Sequence, residues 1–234
     1  MQRKIKITPD YTKYAESSIL FETGNTKVLC NVSIEQGVPA FLKDSGKGWI
    51  TAEYSMLPRA TLTRTRREVN SGKVSGRTAE IQRLIGRSLR AVIDLKLIEG
   101  YTIYIDCDVI QADGGTRTAS VSGAALALYI ALEKRVKKQL ISKNPMKELI
   151  AGISVGINNN KIILDLDYKN DSEAQVDMNI IMTESGKFVE IQGTGEESCF
   201  TREDLNLMLK EAEIGIQNLI TEQRRIIINY KYEA

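Results

Sequence analysis

Twice along this chain, short β-rich runs broken by hairpin turns give way to an apolar stripe of helical period, an order that leaves few folds open. Met1-Gln2-Arg3-Lys4-Ile5-Lys6-Ile7-Thr8 alternates like a strand, Ser17 to Phe21 and Lys27 to Ile34 flank the hairpin signal Gly24-Asn25, and Trp49 to Tyr54 reads as the next strand. An antiparallel meander is therefore expected in the first third. From Thr78 the period changes: Ile81, Leu84, Ile85, Leu89, Val92 and Ile93 fall on one helix face. Tyr101 to Ile110 returns to period two, and a turn at Asp113-Gly114-Gly115 leads into a small-residue helix from about Thr118 to Lys137. Beyond Pro145, Ile150 to Ile157 with Lys161 to Leu164, and Val176 to Met182 with Lys187 to Ile191, read as hairpins. Thr201, with Asp204 three residues on, is the N-cap of a last helix striped by Leu205, Leu209, Ala212, Ile216 and Leu219. The pattern predicts an α+β sandwich with crude twofold internal repetition. No linker or low-complexity stretch divides it, so 1–234 reads as one compact unit.

A chain of 234 residues can bury a core without disulfides or metal staples. No apolar run approaches the roughly 18 residues a spanning helix needs, and the N-terminal stretch lacks a signal-peptide core, so a soluble, cytoplasmic protein is expected. The three cysteines, Cys30, Cys107 and Cys199, are widely spaced, and two sit in apolar runs, which predicts buried, reduced, inert thiols. The chain has no histidine. That excludes Ser-His-Asp triads, Cys-His dyads and His-containing zinc sites, and leaves carboxylates, Lys, Arg, hydroxyls, backbone amides or an oxygen-held metal to do any chemistry. With 32 basic residues against 30 acidic ones, net charge is silent on nucleic acid and distribution must decide.

Three local signals carry chemistry. Gly114-Gly115-Thr116-Arg117-Thr118 lies between a strand and a helix, where glycines let N–H groups converge on an anion that the helix dipole favours. An ordinary strand-to-helix turn reads the same way, and Walker A spacing is absent. A basic stretch begins with Arg59, Arg64, Arg66 and Arg67 in a loop with Glu68 as the nearby acid, then runs on through Lys73, Arg77, Arg83, Arg87 and Arg90. Guanidinium forks fit phosphate oxygens, so the loop arginines are read as an RNA grip, whereas Arg83, Arg87 and Arg90 are read as a solvated helix face. Last, Asp165, Asp167, Asp171 and Asp177 crowd one short segment. Asp165 and Asp167 are assigned to turn capping, and Asp106 and Asp108 to exposed or hydrogen-bonded strand positions. Anion loop, arginines and carboxylates describe a phosphoryl-transfer site, with hydrolysis and phosphorolysis both open.

Gly76-Arg77-Thr78-Ala79-Glu80-Ile81-Gln82-Arg83-Leu84-Ile85-Gly86-Arg87 and Asp106 through Ser120 closely resemble signature segments of the bacterial ribonuclease PH family, as do Lys47 through Tyr54 and Asp177-Met178-Asn179. The likeness runs from about Arg3 to about Gln223. It implies a ribosomal protein S5 domain 2-like fold, a βαβα sandwich with a pseudo-twofold internal repeat. It also implies a homohexamer built as a trimer of dimers, and phosphorolytic 3′-to-5′ trimming of tRNA precursors and other structured RNA, with no membrane partner. By motif, Arg77, Gly115, Thr116 and Arg117 would hold inorganic phosphate, the co-substrate, with Arg117 also catalytic. Asp171 and Asp177 would be catalytic and hold Mg²⁺ or Mn²⁺, and Arg59, Arg64 and Arg67 would grip the tRNA. The family usually begins with a longer segment ending in Arg-Pro, whereas Arg3 is followed here by Lys4; with the site motifs intact, activity is still expected.

Overall fold

The structure, a computed structural model, describes residues 2–232. Met1, which opens the predicted first strand, lies outside them, and that strand, β1, runs Ile5–Pro9. β2 (Ser17–Thr23) and β3 (Thr26–Gln36) form the expected hairpin about Gly24-Asn25, with Thr23 opposite Thr26. The meander fails at β4 (Trp49–Met56). This strand pairs in parallel with β5 (Tyr101–Gln111), and β5 inserts between it and β3, so the sheet order is β1-β2-β3-β5-β4. The cause is α1 (Gly76–Ala91), which intervenes between β4 and β5 and returns the chain as a crossover, delivering β5 parallel to its predecessor. Strand periodicity carries no information about partners.

α1 begins two residues before the predicted Thr78, because the Ser75 hydroxyl accepts from Thr78 N–H at 3.1 Å and caps it; Ile81, Leu84, Ile85 and Leu89 are buried as the stripe requires. α2 (Thr116–Lys137) likewise starts earlier than expected, and every residue from Thr118 to Leu128 is buried. A helix buried on all sides needs partners on both sides. β2, β3 and β5 pack on one side of it and β6 on the other. Small residues make that approach possible: a Cβ on Gly123 would sit 2.7 Å from the Cys30 sulfur. Cys30 and Cys107 are free thiols within this core, whereas Cys199 is exposed, against the expectation of three buried thiols.

The second sheet is wholly antiparallel in the order β7-β6-β8-β9, built from β6 (Ile150–Asn158), β7 (Lys161–Leu164), β8 (Val176–Thr183) and β9 (Phe188–Gly195). β6 is buried on both faces: Gly152 abuts Thr118 of α2, and Ile153 abuts Gly215 of α4 (Arg202–Asn229). α4 opens with the predicted Thr201 cap as a full capping box with Asp204. The layers run sheet, helix, sheet, helix, as the α+β sandwich reading expects. The repetition is incomplete, since nothing matches α1 in the second half except α3 (Tyr168–Ser172), a short helix with no periodic signal in the sequence. One apolar cluster runs from Ile7 through α2 to Ile220 and joins both halves. Among the described residues, no helix is long and apolar enough to cross a membrane.

Candidate active site

The end of β5 and the start of α2 meet the β7–α3 connection where the two halves join. Gly114 and Gly115 both adopt left-handed backbone, with φ of 73° and 63°, and Gly115 is the N-cap of α2. Neighbours clamp the loop from behind. Asp113 N–H donates to the Thr26 hydroxyl at 3.0 Å, and that hydroxyl donates to the Gly114 carbonyl at 2.7 Å. The Asp113 carboxylate accepts from Asn25 at 3.1 Å and from Tyr168 N–H at 3.3 Å. A Cβ on Gly114 would lie 2.4 Å from the Leu166 carbonyl, so only glycine lets the loop approach the β7–α3 connection this closely. The outcome is a helix N-terminus facing open space, a setting that favours an anion.

That space is a cleft of about 640 Å³, and its lining includes Arg77, Gly115, Thr116, Arg117, Asp171 and Asp177. All the residues expected to hold phosphate and metal are thus brought together from α1, the anion loop, α3 and β8. Arg117 is held by its guanidinium: its Nη1 donates to Gln192 Oε1 at 2.7 Å and lies 3.7 Å from the Glu80 carboxylate, while Gln192 Nε2 donates to Glu80 at 2.9 Å. The Thr116 hydroxyl lies 2.8 Å from the Tyr54 hydroxyl, and burial pushes the Tyr54 phenol up from its ordinary value, keeping it protonated.

Asp171 stands at the cleft mouth, exposed as a residue but with its carboxyl partly sheltered in the cleft, and Asp177 is half-buried. Desolvation by the cleft walls pushes both carboxyls up; for Asp177 the charges of Asp171 and Glu196 add to this, and the cations Arg117 and Arg77 oppose it at both. Among the described residues neither side chain accepts a hydrogen bond, and no group of three or more His, Cys, Asp or Glu side chains that could hold a metal ion occurs. Two unpartnered, mutually repelling carboxylates suit a hard cation such as Mg²⁺, which usually takes one or two carboxylates and completes its shell with water and substrate phosphate. The donor set fits the metal expected from the sequence.

Several other residues singled out in the sequence lie outside this cleft. Arg59 borders an adjoining cleft that shares Thr61, Ala112 and Tyr168 with the first, whereas Arg64 and Arg67 are exposed in the same loop and line neither. Glu68 accepts from Ser75 N–H at 3.1 Å and from the Thr78 hydroxyl at 2.8 Å, supporting the start of α1. Of the supposed solvated face, Arg83 is exposed, but Arg87 pairs with Glu190. Arg90 donates to the Ile50 carbonyl at 2.8 Å and stacks 4.4 Å over the Trp49 ring. α1 lies against β4 and β9, so part of its polar face is covered. Asp167 caps α3 as expected, accepting from Asn170 N–H at 2.8 Å. Asp165 does not: it is buried and faces Arg3. Asp106 and Asp108 are half-buried beside Glu53, with burial pushing both carboxyls up. Tyr54, Glu80, Gln192 and Glu196 join the site without being expected there. Tyr54 and Glu80 stand within segments that carry the family resemblance, whereas Gln192 and Glu196 have no readable signal; Glu196 follows Gly195, which pairs with Val176, and its N–H donates to the Gln175 carbonyl at 3.0 Å.

Residues 1–132 match the model of the 3′ exoribonuclease family, domain 1, and residues 148–215 match that of the family's domain 2. The chain therefore belongs to the 3′ exoribonuclease family. Within it the kinship is to ribonuclease PH. The chain is 60% identical over 226 residues to Ribonuclease PH of Bacillus subtilis, covering 96% of this chain and 92% of the relative. It is 58% identical over 225 residues to Ribonuclease PH of Bacillus pumilus, covering 96% and 93%. Solved structures show the same fold at low identity. Rice (Oryza sativa) Rrp46 superposes with a TM-score of 0.80 at 17% identity, covering 98% of this chain and 96% of that one. The Archaeoglobus fulgidus exosome with RNA bound to the active site gives 0.78 at 22%, covering 97% and 89%.

Proposed function

We propose that the chain is a phosphate-dependent 3′-to-5′ exoribonuclease of the cytoplasm that trims the 3′ ends of tRNA precursors and releases nucleoside diphosphates. The observation that carries this is the meeting in one cleft of a cationic anion loop and a pair of unpartnered carboxylates, in a chain 60% identical to a ribonuclease PH.

In this reading Arg77, Arg117, Thr116 and the N–H groups at the start of α2 hold inorganic phosphate and aim one oxygen at the last phosphodiester of the RNA. A bond forms between that oxygen and the phosphorus of the terminal nucleotide, and the bond from this phosphorus to the 3′ oxygen of the preceding nucleotide breaks. That oxygen takes a proton and becomes the new 3′ end, and the terminal nucleotide leaves as a diphosphate. Arg117 and Arg77 offset the charge brought together as two phosphates meet, and positioning supplies the rest. Asp171 and Asp177 would hold Mg²⁺ or Mn²⁺, which when bound supplies charge neutralisation at the scissile phosphate. Arg59, Arg64 and Arg67 would grip the RNA body upstream through its backbone, which suits substrates that differ in sequence.

Because one phosphate linkage replaces another, the reaction runs both ways. With nucleoside diphosphate in excess and phosphate depleted, the protein should lengthen an RNA 3′ end; no extension under those conditions contradicts the reading. The assembly implied is a homohexamer arranged as a trimer of dimers. Light scattering of the purified protein should give six times the mass of one chain, and a monomer contradicts it.

A further inference from the structure

Arg3 stands outside the cleft, yet two parts of the site converge on its guanidinium. Nη1 donates to the Asp113 carbonyl at 2.6 Å, at the head of the anion loop. Nη2 donates to Asp165 Oδ1 at 2.5 Å, at the head of the connection that leads to α3 and Asp171. The Arg3 backbone N–H adds a bond to Asp165 Oδ2 at 3.0 Å, and the Thr23 hydroxyl donates to the same oxygen at 3.1 Å. Asp165 itself is held in left-handed backbone with φ of 60°, its N–H donating to the Ser154 carbonyl at 2.7 Å. Both side chains are nearly sealed, at 14% and 6% exposure. Two glycines make room for the arginine: a Cβ would come within 2.8 Å of Arg3 Cδ at Gly24 and 3.0 Å of Nη2 at Gly115.

A buried ion pair is a poor device for stability alone, because desolvating both charges offsets most of their attraction. What this one does is fix distance. Resting on the phosphorolytic reading above, we propose that Arg3 and Asp165 form a positioning brace that holds the phosphate loop at a set separation from α3 and its Asp171, so that phosphate is captured in line. Arg3 touches no substrate in this account. The planar fork is essential to it, because one guanidinium reaches a carbonyl and a carboxylate at once, which the single nitrogen of lysine cannot do in the same geometry.

The test is a phosphate titration of 3′-trimming activity on an extended tRNA, comparing the natural protein with Arg3→Lys and Asp165→Asn, each also checked by thermal melting. Loosening the loop should raise KM for phosphate on the order of tenfold in both variants, while KM for RNA and kcat at saturating phosphate change by less than about twofold. A folded Arg3→Lys with unchanged KM for phosphate overturns the brace, as does a loss shared by kcat and KM for RNA. If Asp165→Asn fails to fold, Arg3→Lys, which keeps the cation, decides alone. Phosphate-independent trimming by the natural protein would sink the phosphorolytic reading and the brace with it, whereas phosphate dependence with indifferent variants removes the brace only.

Discussion

Arg117, on the first turn of α2, donates to the side-chain oxygen of Gln192 on β9 at 2.7 Å, tying the anion loop of one half to a strand of the other. Glu80 of α1 closes the set by accepting from Gln192 and standing 3.7 Å from Arg117. The Arg117 cation at the anion loop is thus oriented by one residue from each of two distant elements.

Gln192→Ala should therefore leave the Arg117 charge in place but free its direction. Catalytic efficiency toward phosphate should fall about tenfold, the worth of one charge-assisted hydrogen bond, with the melting temperature little changed. Steady-state kinetics at varied phosphate checks this.

Asp177 should be indispensable for turnover and harmful to stability without metal. Its carboxyl is pushed up by desolvation, then by Asp171 and Glu196, so the folded chain binds its proton more tightly than the unfolded chain does. A raised carboxyl leaves stability whole below its unfolded value and subtracts from it as pH rises through its folded value. In chelator, melting temperature should rise as pH falls through the raised folded value toward the ordinary carboxylate value, and Asp177→Asn should be flatter across that window and more stable at neutral pH. The variant's trimming rate should drop at least about a hundredfold. At still lower pH the sign reverses, because Glu148, held at about 2 by hydrogen bonds from Ser185, and Glu184, held down by Arg224, contribute stability only while ionised. Melting curves across pH decide both halves.

Arg64→Ala and Arg67→Ala act on side chains that line neither cleft, so KM for RNA should rise while KM for phosphate stays put. For each RNA phosphate that a variant no longer neutralises, the slope of log affinity against log salt should shrink by about 0.7 to 0.9. Binding isotherms at several salt concentrations measure that slope.

Gly114→Ala combines a left-handed φ of 73° with a Cβ 2.4 Å from the Leu166 carbonyl. Denaturant unfolding should show a loss of about 1–3 kcal/mol or more, and trimming should fail even where the protein folds, because the loop must shift.

What is legible in the sequence is what is local. The helix stripe of α1, the Thr201–Asp204 capping box and the glycine loop ahead of α2 each announce themselves within a few residues. The parallel placement of β4 is not legible, because pairing is decided by the crossover and not by the strand's own pattern. Nor is α3, too short to show a period. Arg77, Gly115, Thr116, Arg117, Asp171 and Asp177 stand in recognisable motifs and do share one cleft; of the two residues that orient Arg117, Glu80 stands in one of those motifs and Gln192 in none. Arg3 and Asp165 are 162 positions apart, Arg117 and Gln192 are 75, and no spacing rule connects them.

The most direct measurement takes a transfer RNA with a short 3′ extension, the metal-loaded protein, and buffers with and without phosphate, and identifies the nucleotide released. Nucleoside diphosphates that appear only with phosphate, and vanish in Asp177→Asn, are the predicted result. Monophosphates released without phosphate would mean a hydrolase, and RNA bound without any release would mean a scaffold; either contradicts phosphorolysis.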